Sequence, residues 1–398
     1  MANQGKTYRR PTPYIQTCYR PIKPQRRGPR PLTILLSCLT IVAFIHFITA
    51  IHPLYPTDTA TNCQKFIRSI DYTKYIHLQA NHQEMQAVQY VDQATGGQPA
   101  ALVLVNDTGA QHLLDVYVFS CTMQQVNGQF APAVPELAVV FKRQGLVEGA
   151  ATITNANTLS ISRLDSTLSQ TTRMLMQPEQ QDIYQEYTWQ KGAFVQTLFP
   201  ALYPVTSRGE AEELQDEVNN GHPLPWSDPL FTSEQMARDI FHWSDHNLQE
   251  TLQNNNGSTA HVLLIQQHPH FTVAVTLNRL VQHNSSGLWF VTEARTPGMT
   301  LKLMQPDHFI SSPLHVEGAI ASPAIDVGSA ATVLYSHTLT PLSILNAPTI
   351  TVYRNGSYSG TILYTNDMPG QQGLLLIQML PTRGSSNGQI LLTNLILN

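Results

Sequence analysis

Leu32–Ile51, LTILLSCLTIVAFIHFITAI, is a run of twenty residues without a formal charge. A helix of that length rises roughly 30 Å, the thickness of a bilayer's hydrocarbon core. A core helix this long should carry a polar face, yet Ser37, Thr40, His46 and Thr49 are few and uncharged. A cleaved signal sequence has a short basic start, an apolar stretch of about 7–15 residues and a small-x-small cleavage site. Here the basic start is thirty residues long, and Ala50 has Ile48 where the second small residue belongs. The run therefore predicts a retained transmembrane helix over residues 32–52, with His46 near one end as a neutral, snorkelling imidazole.

Charge sets its orientation. Lys6, Arg9, Arg10, Arg20, Lys23, Arg26, Arg27 and Arg30 precede the run, and the first acid in the chain is Asp58. The leader thus carries +8. Fifteen of the 23 basic residues and all 27 acids lie beyond the run, a balance of −12. The positive-inside rule places residues 1–31 in the cytoplasm and residues 53–398 outside. Six prolines, Pro11 to Pro31, and the charge density predict a disordered leader. Its basic residues suit anionic lipid headgroups, at roughly 1 kcal/mol each near the surface. Without a folded reading element they support only weak, salt-sensitive contact with nucleic acid, so no nucleic-acid partner is expected.

The cysteines agree with this topology. Cys18 falls on the reducing side and Cys38 inside the membrane. Cys63 and Cys121 are the one pair outside, where a disulfide between them is expected. Two free buried thiols are the alternative.

The exterior reads as mainly β, in three segments. Residues 64–200 form a β-rich domain: Ala101–Val105 and Leu113–Phe119 flank an Asn106-Asp107-Thr108-Gly109 turn, and Asp182–Phe199 is a hairpin carrying Tyr184, Tyr187 and Trp189 on one expected face. Residues 207–305 read as an α+β domain. Ser207-Arg208-Gly209-Glu210 and Thr232-Ser233-Glu234-Gln235 are capping boxes, followed by strands at Ala260–Gln267, Phe271–Val281, Leu288–Glu293 and Met299–Met304. Residues 311–398 are all-β, with short strands divided by Asn-Gly and Pro-Gly turns, as in an immunoglobulin-like β-sandwich. Pro306–Ile310 is the expected linker.

Three resemblances accompany these patterns. Val91–Val103, with Asp92-Gln93-Ala94-Thr95-Gly96-Gly97-Gln98-Pro99, resembles the loop-then-strand of FG-GAP repeats. Gly96 and Ala100 replace two of the carboxylates that such loops offer to calcium, so the resemblance implies a fold without its metal site. The 207–305 pattern, closing on Gly287-Leu288-Trp289-Phe290-Val291-Thr292, resembles NTF2-like or cystatin-like modules of bacterial envelope proteins. Ser312-Pro313-Leu314-His315-Val316-Glu317-Gly318 resembles the first strand of the immunoglobulin-like module of bacterial spore-germination and surface lipoproteins.

Chemistry is sparse. His242-Trp243-Ser244-Asp245-His246 has metal-ligand spacing and resembles an inverted zincin motif with Asp for Glu. Ser244 or Asp245 is, however, a good N-cap for a helix over Asn247–Leu252, which would break the pair, and no third ligand is evident. His261, His268, His270 and His283 fit surface or half-buried strand positions. Glu210, Glu212, Glu213, Asp216 and Glu217 fit a solvated helix face. Asn106, Asn256, Asn284 and Asn355, all in N-x-S/T sequons, read as turn residues. Nucleophile elbow, Walker loop, Rossmann glycines and Cys-x-x-Cys are missing, so no catalytic, cofactor or metal residue is assigned and an enzyme is not expected. The sequence points to a membrane-anchored binding or structural protein of the bacterial envelope, its partner an envelope protein or polysaccharide. A transmembrane sensor and a metal-assisted ectoenzyme are the alternatives.

Overall fold

The structure is a computed structural model; it describes residues 59–398 apart from 79–81, 110–111, 125–133, 155, 177–180, 304–308, 321–328, 346–348 and 381–386. The expected leader, the spanning run and residues 306–308 of the expected linker lie outside the described residues. Among the described residues no helix is long and apolar enough to cross a membrane. The mainly β expectation holds, in three sheets that are antiparallel apart from one short strand pair.

The described residues begin with a helix that the sequence analysis did not predict. Cys63, Phe66, Ile67 and Ile70 recur at i, i+3, i+4 and i+7, the apolar stripe of an amphipathic helix. The segment forms α1 (Thr59–Ser69), and Cys63 and Ile67 are buried on it. It lies on a four-stranded sheet, β1 (Gln83–Thr95), β2 (Gln98–Asp107), β3 (Leu113–Gln124) and β4 (Val134–Val147), in that order. Strand parity explains why the middles of β2 and β3 carry apolar residues at successive positions. Ala101, Val103, Val105, Phe119 and Cys121 face the α1 core, whereas Ala100, Leu102, Val116 and Val118 face a second core. That second core is closed by β5 (Ala150–Ile153), β6 (Leu159–Leu164), β7 (Asp182–Gln190) and β8 (Ala193–Thr197). A short helix, α2 (Gln170–Leu175), capped by Ser169, stands in the β6–β7 connection.

Both expected hairpins form. They are β2 with β3 and β7 with β8, the latter turning at Lys191 and Gly192, both at positive φ; a further tight turn at Gly96 and Gly97, also at positive φ, joins β1 to β2, a hairpin the sequence pattern did not mark. One expectation fails on parity. Tyr184 and Tyr187 are three apart, which on a strand means opposite faces. Tyr187 stacks edge-on against Phe141 in the sandwich core, and Trp189 meets Phe194. The Tyr184 hydroxyl instead donates to Glu213 on the other side of the sheet.

The middle segment holds α3 (Arg208–Asn219), α4 (Pro229–Asp239) and the strands β9 (Leu248–Asn255), β10 (Thr259–Gln266), β11 (Phe271–Asn278), β12 (Phe290–Arg295) and β13 (Thr300–Leu303). The Ser207 box forms: Ser207 Oγ accepts from the Glu210 amide at 3.3 Å and donates to Glu210 Oε2 at 2.7 Å. The second helix starts earlier than its expected box. Asp228 is the N-cap and Pro229 takes the first helical position, where its missing N–H costs nothing. Thr232 and Ser233 bond back to the carbonyls of Asp228 and Pro229. The expected Asn247–Leu252 helix is absent: a single 3-10 turn over Asp245–Asn247 leads straight into β9, an exposed edge strand.

The C-terminal strands are β14 (Phe309–Ile310), β15 (Leu314–Ala319), β16 (Ser329–Tyr335), β17 (Thr349–Val352), β18 (Ser357–Ile362), β19 (Gln371–Met379) and β20 (Gln389–Leu397). They do not form a sheet of their own. One twelve-stranded sheet runs β13-β15-β18-β17-β16-β19-β20-β12-β11-β10-β9, with β14 also on β20, so pairing crosses from the middle segment into the last at β12 and β20. Phe309 and Ile310 of the expected linker pair in parallel with Ile396 and Leu397. The runs Leu374–Ile377 and Ile390–Leu392 are apolar without alternation because both faces are covered. Leu374, Leu376, Ile390 and Leu392 join the core under α4, while Leu375, Ile377 and Leu391 join the core inside the C-terminal strands.

Candidate functional site

The residues flagged in the sequence are scattered. Cys63 and Cys121 are bonded, with Cα atoms 5.6 Å apart, and both are fully buried between α1 and β3. Asp92 points back to α1, where Gln64 Nε2 donates to it at 2.7 Å and Arg68 pairs with it at 3.3 Å. His242 follows α4 with φ +56°, and Ser244 starts the 3-10 turn that holds Asp245 and His246. Asp245 is engaged by Arg238 of α4 at 2.7 Å, and Arg238 also pairs with Glu234. Among the described residues no group of three or more His, Cys, Asp or Glu is placed to hold a metal ion. The side-chain oxygens of Asn256, Asn284 and Asn355 accept from the amides of Ser258, Ser286 and Ser357, the Asx-turn chemistry expected. Asn106 is different: it lies in β2, and Asp107 makes the corresponding bond to the Gly109 amide.

The acids of α3 divide in an unexpected way. Glu213, Asp216 and Glu217 are exposed, as a solvated face requires, but Glu210 is buried. It sits in a polar seam where the second sheet of the N-terminal sandwich and the start of α3 meet the C-terminal strands. Asp165, just past β6, and His337, just past β16, are both buried, with His337 Nε2 3.1 Å from Asp165 Oδ2. The other Asp165 oxygen accepts from the Thr167 amide at 2.8 Å and its hydroxyl at 2.6 Å. Burial works against the Asp165 charge, but the bonds from His337 and Thr167 outweigh it and hold the carboxyl below its usual range. Glu210 goes the other way. Burial pushes it up to about 7, opposed by Ser207 and His337 and reinforced by the Asp182 charge.

Around this pair the seam is laced by side chains reaching for backbone. Arg163 donates to the Pro369 carbonyl at 2.9 Å and Gln196 to the Gly370 carbonyl at 2.8 Å. The Phe199 amide donates to Gln372 Oε1 at 3.1 Å. Gly370 has φ +83°, and a Cβ there would lie 2.1 Å from Gln185 Nε2. Gly370→Ala is therefore expected to cost about 1–2 kcal/mol for the left-handed backbone alone, with Gln185 displaced in addition. Chemical denaturation would show it; an unchanged midpoint would mean that the loop yields freely.

A second feature lies where β12 and β20 part. They pair only at Ala294–Leu392 and Arg295–Leu391. Thr292 is the extra residue of a bulge on β12: its neighbours Val291 and Glu293 pair with Leu277 and Thr276, which are adjacent on β11. A cleft of about 380 Å³ is lined there by Leu202, Leu301, Leu303, Leu391 and Leu392 together with Glu293, Arg295 and Asn394. Arg295 and Glu293 neutralise one another at 2.5 Å. The cleft thus presents both apolar and charged side chains. The His337–Asp165 contact joins chain segments 172 residues apart.

The burial of Glu210, Asp165 and His337 could not be read from the chain. Their partners lie 172 residues apart in the case of His337 and Asp165, and no local pattern marks them. No protein-family model, no curated protein and no solved structure matches this chain.

Proposed function

We propose that this chain is a single-pass protein of the bacterial cell membrane whose exterior modules have a binding or structural role in the envelope. Residues 1–31 are cytoplasmic and hold anionic headgroups, residues 32–52 span the bilayer, and residues 53–398 stand outside. The observation that carries this reading is the pairing of the +8 leader and charge-free run with a disulfide immediately beyond them. Disulfides persist in oxidising compartments, and only an exterior placement of Cys63 and Cys121 provides one. The exterior comprises the β-rich segment, an α+β segment of NTF2-like or cystatin-like kind and an immunoglobulin-like end. Such folds host many unrelated binding functions, so the partner, an envelope protein or polysaccharide, is recognised on their surfaces. The β12–β20 cleft offers one such surface.

Protease added to intact cells or spheroplasts is expected to digest residues 53–398 and spare the leader. Release of the intact chain by carbonate or high-salt washing would overturn the anchor.

A further inference from the structure

We propose that the outer face of strands β13, β15, β18 and β17 binds a neutral polysaccharide, with one sugar ring stacked on Tyr353 and the neighbouring hydroxyls held by Glu317, Lys302 and Ser359. This names the class of partner within the envelope reading, and it rests on that reading for where the glycan is met. Strand parity builds the face. Leu301, Val316, Tyr358 and Val352 turn to the core of the C-terminal strands, so the residues beside them turn outward. Register then sets Lys302 opposite Glu317, Glu317 opposite Ser359 and Ser359 opposite Thr351, one row across four strands. A second row runs through Thr300, Ala319 and Ser357. The Tyr353 amide extends it by donating to the Ser357 carbonyl at 2.8 Å. A recess of about 430 Å³ draws its lining from both rows, a size within the range of small-ligand sites.

Three aromatic rings are exposed among the described residues: Tyr75, Tyr90 and Tyr353. Tyr75 lies edge-on to Phe119, and Tyr90 lies under the Arg68 guanidinium. Tyr353 is 48% exposed, and no ring or cation among the described residues covers it. Its hydroxyl is steadied by Ser359 Oγ at 3.3 Å. Lys302 and Glu317, although opposite in register, make no ion pair with one another or with any other described group. Both charged ends are therefore open to a ligand.

This chemistry selects the occupant. Nucleic acid needs a row of cations, and a single lysine beside a carboxylate does not supply one. Calcium needs several carboxylates, and Glu317 is the one acid in the two rows. A protein partner anchors on several aromatic and apolar side chains, and serine is depleted at such interfaces. A sugar ring offers an apolar C–H face to Tyr353 and hydroxyls that both donate and accept. The carboxylate accepts from those hydroxyls, the ammonium donates to their oxygens, and Ser359 and Thr351 do either. Short hydroxyl side chains on paired strands also lose little rotamer entropy when a ligand settles on them. Lys302 and Glu317 cancel in charge, which fits a neutral glycan better than an acidic one.

The test is saturation-transfer NMR on the full chain in nanodiscs, with a glucose tetrasaccharide, an N-acetylglucosamine tetrasaccharide and an oligogalacturonate as the acidic control. At least one neutral probe should bind, with the strongest transfer to its ring C–H protons. Tyr353→Ala should weaken that binding about tenfold, whereas Tyr353→Phe, which keeps the ring, should stay within about twofold of the wild type. Glu317→Gln should also cost about tenfold, the loss expected when a charged acceptor becomes neutral. Tyr90→Ala, which removes another exposed ring, should bind as the wild type does. Absence of transfer to both neutral probes in the wild-type chain would overturn the proposal. So would unchanged binding by Tyr353→Ala, or tighter binding of the oligogalacturonate that disappears in Lys302→Met and marks an anion site. Binding in nanodiscs is independent of orientation in the cell. A chain that binds the glycan but fails the protease test keeps this site and loses its envelope placement; the reverse result removes the site and keeps the placement.

Discussion

Replacing Cys63 and Cys121 together by alanine is expected to lower the stability of the N-terminal sandwich by about 4 kcal/mol, the loop-closure value for a cross-link over their separation of 58 residues. The bond joins α1 to β3, and β3 sits between β2 and β4 in its sheet. Without it, α1 is held by the stripe of Phe66, Ile67 and Ile70, by the Arg68 guanidinium over the Tyr90 ring and by Asp92, whose bonds to Gln64 and Arg68 are exposed and worth little. An eleven-residue helix is marginal on its own, so its packing carries it. Exchange of the β2 and β3 amides in denaturant measures the loss, with α1 expected to exchange first. Equal stability of the two proteins would show that packing alone secures the helix. A reducing agent should act on the native protein as the substitutions do, and should leave the alanine variant unaffected.

Local signals were legible and distant ones were not. Lys191-Gly192 specifies its hairpin within a few residues, and period-two apolarity places β10 and β11 close to where they occur. Ser207 caps α3 as its spacing predicts. The errors come from competition between neighbours. Asp228-Pro229 outranks Thr232 as a helix start because proline at the first helical position both fixes φ and gives up a donor that would have no partner. Leu248–Asn255 has residues that suit a helix, but Leu248 to Asn255 find the edge of β10 instead, where seven residue pairs form. The α3 acids look uniform in sequence; whether one of them is solvated depends on which side of the helix the C-terminal strands approach, and no residue near Glu210 carries that information. The mainly β character was therefore readable and the seam was not.

The continuous sheet makes a further result follow. Leu374→Ala is expected to cost about 3 kcal/mol, the usual range for deleting a fully buried leucine being about 2–5, and the loss should be felt on both sides of β19. Leu374 is fully buried and lies in the core with Met236 and Ile240 of α4, Val262 and Leu264 of β10, and Val273 and Val275 of β11. Its neighbours in sequence, Leu375 and Ile377, face the other way into the core of the C-terminal strands. A cavity at Leu374 thus removes contacts from the middle segment, while the strand that carries it is paired to β16 and β20. Tyr335 adds a polar tie of the same kind, its hydroxyl donating to the Ile240 carbonyl at 3.0 Å from a strand of the opposite segment. If residues 207–305 and 309–397 unfold as one cooperative unit, calorimetry of the variant should show a single shifted transition for both, and exchange in β10 and β11 should accelerate by the same free energy as in β19 and β20. Acceleration confined to residues 371–397, with β10 and β11 unchanged, would mean that the shared sheet joins two separately stable bodies, and the β12–β20 contact of only two residue pairs would then be where they come apart.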